Sequence, residues 1–381
     1  MTRPLAVLGA TGSIGTQTLE VAGFLGLEVA ALAARRPSPG FAEICRAHPD
    51  AEVVVAGGGS EERETFQASV GRPVSFGSDH LVEAAAEPGR IVVNGIVGSA
   101  GLRATVAALE SGNRVALANK ESLVAGGPVV MKALSRSGGE LLPVDSEHSA
   151  LHQCLVGESP DAVSRLVLTA SGGPFRGRSR ESLESVSPKE ALRHPTWDMG
   201  RRITIDSATM FNKGLEIVEA HHLFGIPYDR IAVVVHPQSI LHSAVEFVDG
   251  SWKGHLGFPD MRVPIQYALT SPERSPSPVG PFTLAGLELT FEEPDHEVFP
   301  AIGIAMEAGR SGGSAPAVMN AADEVAVEAF LQGRLGFLGI AEVVSNVIEL
   351  VDWREVETVD DVIVVDHEAR EIAAAMIAGA C

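Results

Sequence analysis

Residues 7–25 read VLGATGSIGTQTLEVAGFL: the end of an apolar run, a turn with Gly9, Gly12 and Gly15 in G-x-x-G-x-x-G spacing, then an amphipathic segment. Ile14, Val21, Ala22 and Leu25 recur at i, i+7, i+8 and i+11, one face of a helix. Glycines so spaced permit a tight turn and close backbone approach, and the helix N-terminus offers unpaired N–H groups to a pyrophosphate. A Gly-rich turn alone is a weak signal, so the strand, turn and helix context decides the reading.

Working outward, residues 1–145 alternate the short runs LAVLGA, EVAALAA, EVVVAG, RIVVNGIVG, RVALANK and GELLPVD with helical segments. Continuous apolar strands separated by helices predict an α/β doubly wound domain: a parallel sheet covered on both faces, with ligands beyond the carboxyl ends of its strands. The second run ends in AARRP, about 20 residues past the turn, where an NAD enzyme carries an acidic residue for the ribose hydroxyls. Arg35 and Arg36 suit the 2′-phosphate of NADP instead; the alternative is two arginines capping an exposed strand end. Asn119, Lys120 and Glu121, in ALANKESLV, fall at the carboxyl edge of a later strand. By itself a Lys-Glu pair there is a surface ion pair worth little.

Beyond residue 145 polar motifs crowd between apolar runs such as RLVLTA and RIAVVV, which places a second, α+β domain at 146–270. Residues 271–297 hold five prolines and read as a linker. From 298 to 381, APAVMNAADEVAVEAFL and GIAEVVSNVIEL carry helical periodicity and predict a small helical domain.

Composition narrows the partners. The 381 residues include 29 basic and 49 acidic side chains, a net charge of -20, which argues against nucleic acid or anionic membrane. An anionic ligand would therefore need its own local pocket of positive groups and N–H donors. No apolar run approaches the roughly 18 residues of a membrane span, and the chain opens almost at once on a strand without a signal peptide. Cys45, Cys154 and Cys381 are scattered and lack C-x-x-C spacing, as expected for free thiols in a reducing cytoplasm.

Chemistry-bearing residues cluster in the second domain. LPVDSEHSALHQCL, residues 142–155, places Asp145, Glu147 and His148 within four positions; for a lone D-x-E a solvated acidic turn is the ordinary reading. LTASGGPF supplies Ser171 and two glycines, and residues 202–224, RITIDSATMFNKGLEIVEAHHLF, supply Ser207, Lys213 and the i, i+4 pair Asn212 and Glu216. Ser171, Ser207, Asn212 and Lys213 together would bind a phosphate monoester. Asp145, Glu147 and Glu216 would suit Mg²⁺ or Mn²⁺, with the D-x-E on an extended segment putting both carboxylates on one side. Gly214 costs its helix on the order of 1 kcal/mol relative to Ala, which a close approach by a ligand or another backbone would explain. ALRHPTWDMGRR carries His194, Trp197 and Met199 ahead of Gly200; the aromatic either anchors to the core or belongs to a lid. His236 and His242 surround a further strand end, where core or surface roles are the simpler ones.

In this collinear order GATGSIG, NKES, PVDSEHSA, SGGPF, HPTWDMG, IDSATMFNKGLE, HPQSILHS, GFPDMR and NAADEVAVEAFL resemble the 1-deoxy-D-xylulose 5-phosphate reductoisomerase family over nearly the whole chain. The resemblance implies an NADPH- and metal-dependent enzyme that forms 2-C-methyl-D-erythritol 4-phosphate in the non-mevalonate isoprenoid pathway, and a homodimer. It implies Asp145, Glu147 and Glu216 as metal ligands and Ser171, Ser207, Asn212 and Lys213 as phosphate ligands. Ser146, His194, Trp197 and Met199 then complete the substrate site and its lid, and Lys120 contacts substrate. Thr11, Gly12, Ser13 and Ile14 hold the cofactor pyrophosphate, Asn119 and Glu121 lie nearer the nicotinamide, and Arg35, Arg36 and Gly200 are assigned to the cofactor. Ala34, Arg36, Gly95 and Asp323 depart from the family pattern, the last two replacing Ala and Asn.

The implied reaction is a metal-assisted cleavage and re-addition of the carbon skeleton followed by hydride reduction. Two rivals share the sheet. A semialdehyde dehydrogenase would need a thiolate, for which Cys154 is the only candidate. An NADP-sensing regulator would not need the three carboxylates.

Overall fold

The computed structural model describes residues 3–197 and 199–379. Cys381 lies outside them. The chain divides into two compact units.

The first unit comprises Met1–Ser122, Val129–Ser149 and Asp260–Pro281. Its strands are β1 (Leu5–Leu8), β2 (Val29–Ala34), β3 (Glu52–Val55), β4 (Ser75–Phe76), β5 (Ile91–Asn94), β6 (Arg114–Leu117) and β7 (Glu140–Pro143). They form one parallel sheet in the order β4-β3-β2-β1-β5-β6-β7. Six of these strands coincide with the six apolar runs; β4 is two residues long and carries no run to detect. The direction of winding reverses between β1 and β5, the switch point at which doubly wound sheets bind ligands.

Apolar strands buried on both faces hold this unit together. Leu5, Leu8 and Leu32 are fully buried, each contributing about 1.5–3 kcal/mol relative to exposure. The Ser13–Leu25 helix, predicted from its glycine turn, ends at Gly26 with φ 66, a left-handed cap that glycine adopts without strain. Ile265, Ala268 and Leu269 of the Arg262–Thr270 helix join the same core, so the chain returns to the first unit partway through building the second.

The second unit comprises Leu123–Pro128, Ala150–Pro259 and Phe282–Cys381. Its sheet has the order β11-β10-β8-β9, from β8 (Val163–Ala170), β9 (Ile231–Val235), β10 (Leu241–Phe247) and β11 (Trp252–Leu256). β8 runs parallel to β9 and antiparallel to β10. The helices Arg201–Thr209 and Phe211–Phe224 follow one another with Met210 between them at φ 68. Four helices close the chain: Ala301–Ser311, Ala315–Leu331, Gly339–Leu350 and Val359–Ile377. The second and third coincide with the two periodic stretches read from sequence.

Candidate active site

In the first unit the glycine turn lies at the switch point. Gly9 has φ 87, and a Cβ on it would lie 2.7 Å from the carbonyl oxygen of Gly95, which follows β5. A Cβ on Gly15 would lie 2.6 Å from Ala10 Cα, so only glycine lets the helix start so close to the turn. Thr11, Gly12 and Ser13 are exposed, Ile14 is partly buried, and the helix has no acidic residue in its first turn. This end of the helix is thus open to an anion. Arg35 and Arg36 are exposed just past β2, without a carboxylate in their place.

At the ends of β5 and β6 a buried polar cluster fixes Asn119. Its amide donates to Ile96 O (2.8 Å), Gly98 O (2.9 Å) and Glu121 Oε2 (2.7 Å), while Ser122 Oγ donates to its Oδ1. Lys120 Nζ lies 2.9 Å from Asp145 Oδ2, and His148 Nδ1 lies 3.7 Å from the same oxygen. Burial alone would raise the Asp145 pKa; the Lys120 ammonium and His148 overcome this and hold the carboxyl well below its ordinary range. The Lys120 pair is therefore no surface ion pair, since Lys120 is buried.

The D-x-E motif is not extended, which corrects the sequence reading. Ser149 N donates to Asp145 O at 2.8 Å, and the Ser146–Leu155 helix starts immediately after Asp145. Both carboxylates therefore come from a strand-to-helix corner: Asp145 just before the first turn and Glu147 within it, accepting from Ser146 Oγ. His148 had no role in the sequence reading; its signal is the i, i+3 spacing from Asp145, which brings the two together once the segment is a helix start.

In the second unit Ser171, His194 and Ser207 converge. His194 Nε2 lies 3.0 Å from Ser171 Oγ and 3.1 Å from Ser207 Oγ. Its Nδ1 accepts from Thr196 N (3.2 Å) and Trp197 N (2.9 Å), so in the neutral ring the proton sits on Nε2 and points at the two hydroxyls. Burial lowers the His194 pKa and favours that neutral ring. Gly172 and Gly173, with φ 83 and 66, let the Ser171 loop reach the Arg201–Thr209 helix: a Cβ on Gly173 would stand 2.7 Å from Ser207 O.

Beside them Lys213 and Glu216 are buried and paired, and Asn212 Nδ2 donates to Glu216 Oε1 at 2.5 Å. Gly214 is explained by packing rather than by a ligand, because a Cβ there would meet Ala305 Cβ at 2.6 Å and Ala301 O at 3.1 Å on the Ala301–Ser311 helix. Trp197 and Met199 are partly buried, Trp197 with its ring centroid 6.5 Å from that of His242, and Gly200 is exposed at the start of the Arg201–Thr209 helix. His236 is structural: its Nδ1 donates to Thr290 O (2.9 Å) and its Nε2 accepts from Ile240 N (3.1 Å).

Cys154 is buried, and its thiol is pushed up to about 11 by burial against the opposing pull of Lys253. A thiol so placed is protonated at neutral pH and is no nucleophile, which removes the semialdehyde dehydrogenase rival.

A glycine turn at the switch point of a parallel sheet, joined to a second unit with its own anion-ready hydroxyl, imidazole and ammonium groups, is the construction of a nicotinamide-dependent oxidoreductase with a separate substrate domain. Three family models match the sequence: 1-deoxy-D-xylulose 5-phosphate reductoisomerase over residues 5–127, its C-terminal domain over 141–224, and the DXP reductoisomerase C-terminal domain over 256–372. Reductoisomerases of Pelotomaculum thermopropionicum and Caulobacter vibrioides are 48% and 47% identical, over 98% and 99% of this chain and 98% and 97% of theirs. Among solved structures, the Zymomonas mobilis reductoisomerase in complex with NADPH superposes with a TM-score of 0.92 at 42% identity, covering 99% of each chain. A DOX-P reductoisomerase in complex with NADPH, fosmidomycin and magnesium gives a TM-score of 0.92 at 37% identity, covering 99% of this chain and 98% of that one. The chain belongs to the 1-deoxy-D-xylulose 5-phosphate reductoisomerase family.

Proposed function

We propose that the protein binds NADPH and a magnesium or manganese ion and converts 1-deoxy-D-xylulose 5-phosphate to 2-C-methyl-D-erythritol 4-phosphate. The observation that carries this reading at the site is His194, whose Nε2–H is aimed at the Ser171 and Ser207 hydroxyls. Ser171, Ser207, Asn212 and Lys213 hold the phosphate. His194 donates to it and keeps the loop at Thr196 and Trp197 attached through Nδ1. With Ser146 and Met199, Trp197 then excludes water from the reacting carbons.

The ligand set for the ion is Asp145, Glu147 and Glu216, and its chemistry fits: all are carboxylates, the donors a hard divalent cation prefers. Lys120 and His148 keep Asp145 ionised, and Lys213 and Asn212 hold Glu216 in place. When bound, the ion supplies Lewis acidity toward the ketone and hydroxyl oxygens, and the cofactor supplies the hydride. The skeleton is cleaved and rejoined to a branched aldehyde, which is then reduced. Lys120 orients the substrate, Asn119 and Glu121 support the nicotinamide end, and Thr11, Gly12, Ser13 and Ile14 hold the pyrophosphate, with Gly200 also near the cofactor. Arg35 and Arg36 take the 2′-phosphate. Residues 1–145 serve the cofactor and supply Lys120 and Asp145 to the reaction, 146–259 supply the rest of the chemistry and 298–381 the helical support; residues 260–281, read from sequence as the end of the second domain and the start of a linker, belong to the first unit.

We also read the protein as a cytoplasmic homodimer. Buried thiols at Cys45 and Cys154 suit a reducing compartment. Strand β11 is a sheet edge with Trp252 and Leu256 exposed, which a second copy would cover. The test of the function is product identity: incubation with the ketose phosphate, NADPH and Mg²⁺ should give the branched tetritol phosphate by NMR. Recovery of unchanged substrate would sink the reading. Light scattering decides the dimer.

A further inference from the structure

We propose that Asn94, which has no place in the cofactor, metal or substrate sets above, is a positioning residue for hydride transfer: a buried chain of hydrogen bonds through Thr105 and Ser122 lets it fix the Asn119 amide and the 95–101 loop. The inference rests on the reading of Asn119 as a group at the nicotinamide end.

Asn94 ends β5 beside the switch point, where the apolar run IVV gives way to a fully buried amide. A core holds such a group when its polar atoms have partners, and here each of them does. Its Nδ2 donates to Gly101 O at 3.0 Å and to Thr105 Oγ1 at 2.8 Å, and its Oδ1 accepts from Ile96 N at 3.2 Å. One side chain thus ties down both ends of the loop between β5 and the Leu102–Glu110 helix.

The same side chain reaches Asn119 by a second route. Thr105 Oγ1 lies 3.3 Å from Ser122 Oγ, which donates to Asn119 Oδ1. The Asn119 amide in turn donates to Ile96 O and Gly98 O, inside the loop that Asn94 anchors. All four side chains are buried, so bulk water does not replace a lost partner. Packing leaves no slack either: a Cβ on Gly101 would stand 2.5 Å from Asn119 Oδ1 and 3.0 Å from Asn94 Nδ2. On its other side the loop meets the glycine turn, where Gly95 N donates to Leu8 O at 2.9 Å and Gly95 O crowds Gly9. A fully satisfied buried network of this kind is rigid, and a partly satisfied one is not. Loss of the Asn94 bonds is therefore passed both to Asn119 and to the wall of the crevice.

The experiment uses Asn94→Leu, which keeps the bulk but not the hydrogen bonds, and the pair Thr105→Val and Thr105→Ser, of which only the second keeps the hydroxyl. Three quantities are measured at a temperature where each variant is folded: kcat with 1-deoxy-D-xylulose 5-phosphate, NADPH affinity by fluorescence titration, and hydrogen–deuterium exchange of residues 95–101 in cofactor-free protein. In Asn94→Leu and Thr105→Val, kcat should fall about tenfold or more while NADPH affinity stays within about threefold, because the contacts to its phosphates are untouched. Exchange in the loop should be faster in both. Thr105→Ser should behave as wild type although it removes a buried methyl, which separates the hydrogen bond from packing. Added to Asn119→Ala, Thr105→Val should cost no further kcat, since it acts through Asn119. The Thr105 pair decides if Asn94→Leu folds poorly. An unchanged kcat, unchanged exchange, equal losses in Thr105→Val and Thr105→Ser, or additive losses with Asn119→Ala would each overturn the positioning role. Wild-type kcat and NADPH affinity in Asn119→Ala alone would refute the nicotinamide reading, while exchange in the cofactor-free protein would still decide whether Asn94 and Thr105 fix the loop.

Discussion

Gly9 and Gly95, the residues following β1 and β5, pass so closely that a Cβ on Gly9 would stand 2.7 Å from the Gly95 carbonyl oxygen. This contact sets the floor of the crevice at the switch point. Gly9→Ala adds the clash to a left-handed backbone that costs a non-glycine residue about 1–2 kcal/mol. The variant should unfold at lower temperature and bind NADPH at least about tenfold more weakly, read by calorimetry and by fluorescence titration. Gly95→Ala should be tolerated, since its nearest neighbours would stand at 3.4 Å.

Arg35 and Arg36 stand exposed at the end of β2. Replacing both with Ala should weaken NADPH by about 10- to 100-fold, the scale of one or two charge-assisted contacts, and leave NADH nearly unchanged. Equal losses for the two cofactors would place the 2′-phosphate elsewhere.

Glu216 and Lys213 are paired in the interior. Glu216→Gln leaves a buried ammonium without its countercharge, a loss of about 3–5 kcal/mol in thermal or denaturant unfolding. Adding Lys213→Met should recover much of that stability but no activity, since the double variant lacks both the proposed ion ligand and the proposed phosphate-binding cation. Recovery of turnover in the double variant would remove both residues from the chemistry.

Much of this was legible in the sequence, and the limits have physical causes. Runs such as IVVN and EVVV announce buried parallel strands because every residue is apolar, whereas Ser75–Phe76 is paired as β4 with nothing in its composition to mark it. Residue type singles out Asp145 and Glu147 as candidates but leaves their geometry open: D-x-E fits an extended segment as well as a helix start, and only the Ser149 to Asp145 hydrogen bond distinguishes them. Gly214 pointed to a close approach without saying that Ala301 and Ala305, far along the chain, make it. The Lys120–Asp145 pair and the Arg202 network with Asp323 join distant segments, and no local pattern encodes them.

The most direct measurement is NADPH oxidation, followed by absorbance with 1-deoxy-D-xylulose 5-phosphate, in protein stripped of metal by chelator and then given Mg²⁺ or Mn²⁺. The account predicts no turnover in the stripped protein, restoration by either ion, and no restoration in Glu216→Gln at a temperature where that variant is folded. Turnover that survives stripping, or is restored equally in Glu216→Gln, would contradict it.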